Sequence, residues 1–165
     1  MVMLIWNFYL LPKSPGFSFI SLASSFPRFN PPATAVSSLD SYLENANASK
    51  QFTMVFQFTK EMDMVSVQNR TNWQIERSSK SEAGAFYNFG KAVPDTEIEL
   101  SPIPDNVVYN AKEMQATVTF TIAQNSAADD TIDPSHIIFK FGGEDIFGNK
   151  MDEDGDEYSP FTGIA

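Results

Sequence analysis

The stretch from Gly143 to Tyr158 reads GEDIFGNKMDEDGDEY and crowds carboxylates together, Asp145 standing just upstream of Asp152, Glu153, Asp154, Asp156 and Glu157. Such a set suits a hard cation like calcium, which accepts loose cages of oxygen donors. A dedicated helix-loop-helix calcium loop places Gly at its sixth position and a bidentate Glu at its twelfth. Counted from Asp152, those positions hold Glu157 and Gly163, so this is not such a loop. One reading is an irregular, weak calcium site built from Asp145, Asp152, Asp154 and Asp156. The other is a solvated acidic turn punctuated by Gly148, Asn149 and Gly155. No other cofactor is expected.

Paired carboxylates also hydrolyse glycosides, but that chemistry needs two acids facing each other across a cleft, one of them with its pKa raised by burial. The acidic run sits in a hydrophilic stretch with nothing apolar to desolvate it. His136 is the one histidine and follows the turn TIDPS. Without a cysteine or an elbow serine for it to activate, it reads as a strand-edge residue rather than a catalytic base. A non-enzyme is therefore expected. Phe86, Tyr87 and Phe89 in AFYNF could form an aromatic platform for a sugar or peptide, whereas Trp73 reads as a core plug. Asn47 in NAS and Asn69 in NRT match the N-glycosylation pattern, which acts only in a eukaryotic secretory setting.

These residues must be held by elements that the composition constrains. With 165 residues the chain suits one domain with trimmings, since domains run about 100 to 200 residues. Hydrophobic residues make up 42% and include fifteen Phe and seven Met, which is ample apolar surface for a core. A net charge of −10 argues against nucleic-acid and anionic-membrane partners, both of which need a cationic face. Residues 1 to 50 carry three basic and two acidic side chains, or +1, leaving −11 for the remainder. The absence of cysteine removes disulfides, zinc-thiolate sites and thiol catalysis.

Residues 1–47 are read as leader and linker. The apolar run Val2 to Leu11 is too short to span a bilayer, and no basic residue precedes it. It reads as a degenerate export signal, the remnant of a preceding domain, or a mis-assigned start. Pro12, Pro15, Pro27, Pro31 and Pro32, padded with serine, predict no long regular element from 12 to 38. One short helix is expected in SSLDSYLENANAS, capped by Ser38, with Leu39 and Leu43 on one face.

Residues 48–165 carry a different pattern. In QFTMVFQF, Phe52, Met54, Phe56 and Phe58 alternate with polar or smaller neighbours, as in a half-buried strand. The same alternation places Trp73 and Ile75, Ile98 and Leu100, Ala116 to Ile122, and Ile137, Phe139 and Phe141 inward. Short strands separated by Pro, Gly, Asn and Asp turns predict an all-β antiparallel sandwich.

Two stretches then align with a known pattern. MVFQFTKEMDMVSVQNRTNWQI, Met54 to Ile75, resembles the opening of the bacterial Ig-like domains of surface-layer (SbsA-type) proteins through Phe58, Thr59, Met62, Asp63, Ser66, Val67, Asn69, Asn72 and Ile75. GEDIFGNKMD, Gly143 to Asp152, resembles their later turn through Asp145, Gly148, Asn149 and Met151. The middle, from Ser78 to Asn106, is longer and richer in proline than that pattern. The resemblance implies an Ig-like β-sandwich for 48–165 and does not extend to the Pro/Ser-rich, mostly irregular N-terminal segment before it. It also implies a non-catalytic spacer, adhesion or assembly unit of a bacterial extracellular or cell-surface protein. Neighbouring domains and a protein or cell-wall polysaccharide partner follow from it; the alternative is a carbohydrate-binding or enzyme-appended domain using the aromatic loop. Physically, Gly148 permits a left-handed turn residue, Asn149 tolerates the same region, Asp145 can accept backbone N–H groups, and Met62 suits a fold-back onto the core.

Overall fold

Apolar side chains at every second position of a long segment can be buried only if a second apolar face covers them. The computed structural model, which describes residues 14–77 and 92–164, meets that need with two antiparallel four-stranded sheets packed face to face. The strands are β1 (Phe17–Ile20), β2 (Thr34–Ala35), β3 (Ser49–Phe58), β4 (Trp73–Arg77), β5 (Asn106–Asn110), β6 (Gln115–Ala123), β7 (Thr131–Ile132), β8 (Ile137–Phe141), β9 (Glu157–Ser159) and β10 (Gly163–Ile164). One sheet has the order β1-β3-β6-β5, the other β10-β9-β8-β4, and β2 pairs with β7 beside them. A short α-helix, α1 (Met64–Gln68), lies between β3 and β4.

The pairing of β3 with β6 is the longest, running without interruption from Ser49↔Ala123 to Gln57↔Gln115. It sets Met54 beside Val118 and Phe56 beside Ala116 on the inner face. The opposing sheet supplies Trp73, Ile75, Phe139 and Phe141, all buried. Ring centroids cross the interface at 5.2 Å for Phe56 and Phe139, 5.3 Å for Phe120 and Phe139, 5.5 Å for Phe58 and Phe141, and 5.6 Å for Phe56 and Trp73. These are the separations at which aromatic pairs attract beyond simple area burial. The expected core residues Phe56, Phe58, Trp73, Ile75, Val118, Phe120 and Phe139 are all buried. Ile138, which alternation would point outward, is fully buried as well.

Three expectations are corrected. The stretch from 12 to 38 is not all linker: Phe17–Ile20 is an edge strand on β3, with Phe17 opposite Phe58 and Ile20 opposite Phe56. After it the chain continues along β3, using serine hydroxyls where regular pairing fails, with the Val55 N–H donating to Ser24 Oγ (2.9 Å) and the Thr53 N–H to Ser25 Oγ (2.8 Å). Phe17, Phe26, Val36 and Leu43 belong to the core cluster, so burial begins well before residue 48. The helix expected near Leu43 is instead two short 3-10 turns, Val36–Ser38 and Ser41–Glu44, the second capped by Asp40 rather than Ser38. TEIEL makes no strand: it joins the sheet region through a single parallel bridge, Glu97↔Thr131, with Ile98 and Leu100 half-buried. In the turn that follows Asp145, Gly148 takes the left-handed conformation it permits, with φ +82°, and Asn149 does not use it.

Candidate functional site

A cleft with both apolar and titratable walls opens between the end of β4, the extended chain at 97–102 and the turn that leads from β7 into β8. It encloses about 290 Å³. Ile75, Ile98, Leu100, Pro102 and Ile132 form apolar walls, and Arg77, Glu97, Asp133 and His136 supply the polar groups.

Local sequence builds its floor. In DPSH, Asp133 precedes a 3-10 turn, Pro134–His136, whose fixed proline φ suits the first helical position. Asp133 Oδ1 accepts from the Ser135 N–H (3.0 Å) and from Ser135 Oγ (2.7 Å), which locks its carboxylate against the turn. The turn carries His136 three residues on, so that Nε2 stands 3.5 Å from Asp133 Oδ2. Glu97 arrives from the other side, held by the backbone bonds of Ile98 N–H to Thr131 O and Thr131 N–H to Thr96 O. Its Oε1 and Oε2 lie 2.9 and 3.0 Å from His136 Nδ1. The Arg77 guanidinium, at the end of β4, pairs with Glu97 Oε2 and reaches Glu99 at 3.6 Å. The side chains of Glu97, Asp133 and His136 are 3%, 1% and 3% exposed.

The strand-edge reading of His136 is therefore corrected: it is buried between two carboxylates, one on each edge of its ring. Asp133 was legible in principle, because Asp-Pro-Ser-His is a cap, a first helical position and an i,i+3 pair. Glu97 had no sequence signal, since its position depends on a parallel bridge between distant segments.

The acidic stretch is arranged differently. Asp145 is 1% exposed, and its carboxylate closes a turn by accepting from the N–H groups of Phe147 (2.8 Å) and Asn149 (2.9 Å) and from Asn149 Nδ2 (3.0 Å). Lys60 Nζ lies 2.7 Å away. Burial opposes its ionisation, but Lys60, Asn149 and the two backbone donors outweigh that and hold the carboxyl down at about 2. Asp156 is turned toward Lys140 at 3.9 Å, and burial pushes its carboxyl above the usual range. Asp152 accepts from the Asp154 N–H (3.0 Å) in an exposed turn. Among the described residues, the group of three or more such side chains whose donor atoms lie within 4.8 Å of one another is Glu97, Asp133 and His136, not the four aspartates. Phe86, Tyr87 and Phe89 lie outside the described residues.

The two stretches that carry the surface-layer resemblance meet in space. Met62 forms an antiparallel bridge with Asp145, the Asp63 N–H donates to Glu144 O (3.1 Å), and the Glu144 N–H donates to Ser66 Oγ (3.0 Å). Several of the matched residues hold this region together, since Asp63 caps α1, Asn69 caps the following 3-10 turn, and Val67 and Met151 are buried. No family model matches the chain, and no curated protein matches it. Among solved structures it is similar to a crystal structure of the S-layer protein rSbsC(31-844), with a TM-score of 0.45 and 15% identity. That alignment covers 95% of this chain and 15% of the other, so the chain spans a small part of that protein's length. Among the described residues, no helix is long and apolar enough to cross a membrane.

Proposed function

We propose that this chain is a non-catalytic, Ig-like β-sandwich module of a bacterial exported or cell-surface protein, acting as a spacer, adhesion or assembly unit. The observation that carries the reading is the junction of Met62 with Asp145. Two sequence motifs that resemble surface-layer Ig-like domains, far apart in the chain, come together as one structural joint. A joint that ties the chain leaving β3 to the turn after β8 stiffens one end of the sandwich, which suits a load-bearing or spacing role. The polar groups of the cleft support the non-catalytic half of the proposal, because Glu97 is committed to both the Nδ1 edge of His136 and the Arg77 guanidinium. The net charge of −10 points to protein or neutral polysaccharide partners rather than nucleic acid.

The test is accessibility on intact cells of the source organism, using an antibody raised against residues 14–164 and limited proteolysis before lysis. Labelling and cleavage of intact cells are expected. A signal that appears only after lysis would overturn the reading. A glycan-array signal abolished by Tyr87→Ala would favour the carbohydrate-binding alternative instead.

A further inference from the structure

We propose that Asp133 and His136, with Glu97 behind them, form a site for a divalent transition-metal ion of the zinc class, entered from the cleft beside β4. The inference is independent of the surface-module reading, since it rests on other residues at another part of the fold.

Donor spacing is the first argument. Zinc binds imidazole nitrogen and carboxylate oxygen at about 2.0–2.2 Å, which in a tetrahedral shell sets neighbouring donors roughly 3.3–3.5 Å apart. His136 Nε2 and Asp133 Oδ2 stand 3.5 Å apart. These two ligands already stand at the separation that an ion between them would impose.

Orientation is the second. Imidazoles that bind metal through one nitrogen usually donate the other N–H to a carboxylate, which fixes the tautomer and the ring plane. Glu97 sits on the Nδ1 edge at 2.9 Å, the edge away from Asp133, and is itself anchored by Arg77. Glu97 is thus a positioning residue, whereas Asp133 and His136 Nε2 are the ligands. Water from the cleft completes the shell, and the cleft's volume of about 290 Å³ admits a partly hydrated ion.

Chemistry then selects the class of ion. An imidazole nitrogen beside a carboxylate suits zinc and its first-row neighbours, whereas calcium and magnesium prefer shells made of oxygen. Asp133 is also held in place before any ion arrives, by its two bonds to Ser135.

The experiment is calorimetric titration of Zn²⁺ into the metal-free, tagless full chain, paired with melting curves in Zn²⁺, Mg²⁺ and Ca²⁺. Saturation near one equivalent and a melting point raised by Zn²⁺ alone are expected. Asp133→Asn and His136→Ala should lose at least a hundredfold in affinity, and Glu97→Gln about ten- to a hundredfold, as for other residues that orient metal ligands. Asp154→Asn should bind like the parent, which separates this site from the acidic stretch. Should His136→Ala fail to fold, Asp133→Asn still decides the matter, because its amide oxygen can keep the bonds to Ser135. Absence of saturable Zn²⁺ binding, or unchanged affinity in a folded Asp133→Asn variant, would overturn the proposal.

Discussion

Met62 and Asp145 lie opposite each other in an antiparallel bridge that joins the turn after β3 to the turn after β8. The bridge is tied to the first sheet as well, because the Met62 N–H donates to the Tyr109 hydroxyl oxygen on β5 (2.8 Å), and burial there pushes the Tyr109 phenol upward. Lys60 closes the other side on the Asp145 carboxylate.

Asp145→Asn should therefore destabilise the sandwich by about 1.5–3 kcal/mol, the range for losing hydrogen bonds to a charged group. The pH dependence follows from its depressed carboxyl. A folded value of about 2 lies below the unfolded value of about 3.9, so this contribution is complete above pH ~4 and drains away as the pH falls through ~2. Urea unfolding at pH ~6 and at pH ~2.5 should show the parent losing more stability than Asp145→Asn over that interval.

Phe120 packs between Phe26 and Phe139, with ring centroids at 5.4 and 5.3 Å, and is 2% exposed. Phe120→Ala should cost about 3–5 kcal/mol as a large-to-small change in a close-packed core. Chemical denaturation with an unchanged m-value would measure it.

A chain beginning at Ala48 should not melt cooperatively. It lacks Phe17, Phe26, Val36 and Leu43, and it exposes the edge of β3 that Phe17–Ile20 covers. Near-ultraviolet circular dichroism of the truncated chain would be flat. A sharp transition close to that of the full chain would show that β3 needs no partner on that side.

Melting in millimolar calcium, in magnesium and in chelator should give superimposable curves. Asp145 spends its carboxylate on Lys60 and Asn149, and Asp156 faces Lys140, so the four aspartates do not converge. A rise specific to calcium and lost in Asp154→Asn would instead point to a site in the acidic stretch.

Features that depend on period and local chemistry could be read from the chain before any fold was known. Alternation in 52–58, 116–122 and 137–141 named the inward residues, because a strand presents every second side chain to the same face. Glycine at 148 and aspartate at 145 announced a turn, since one tolerates positive φ and the other binds the backbone N–H groups two and four residues on. Other features emerge only in three dimensions. Phe17–Ile20 is too short and too flanked by proline to declare itself, and it becomes a strand only because β3 offers an unpaired edge. Lys60 finds Asp145, and Glu97 finds His136, across segments whose spacing in the chain says nothing about distance in space. Both encounters follow from strand order and register, which are settled by how two apolar faces close over one core and not by any local run of residues.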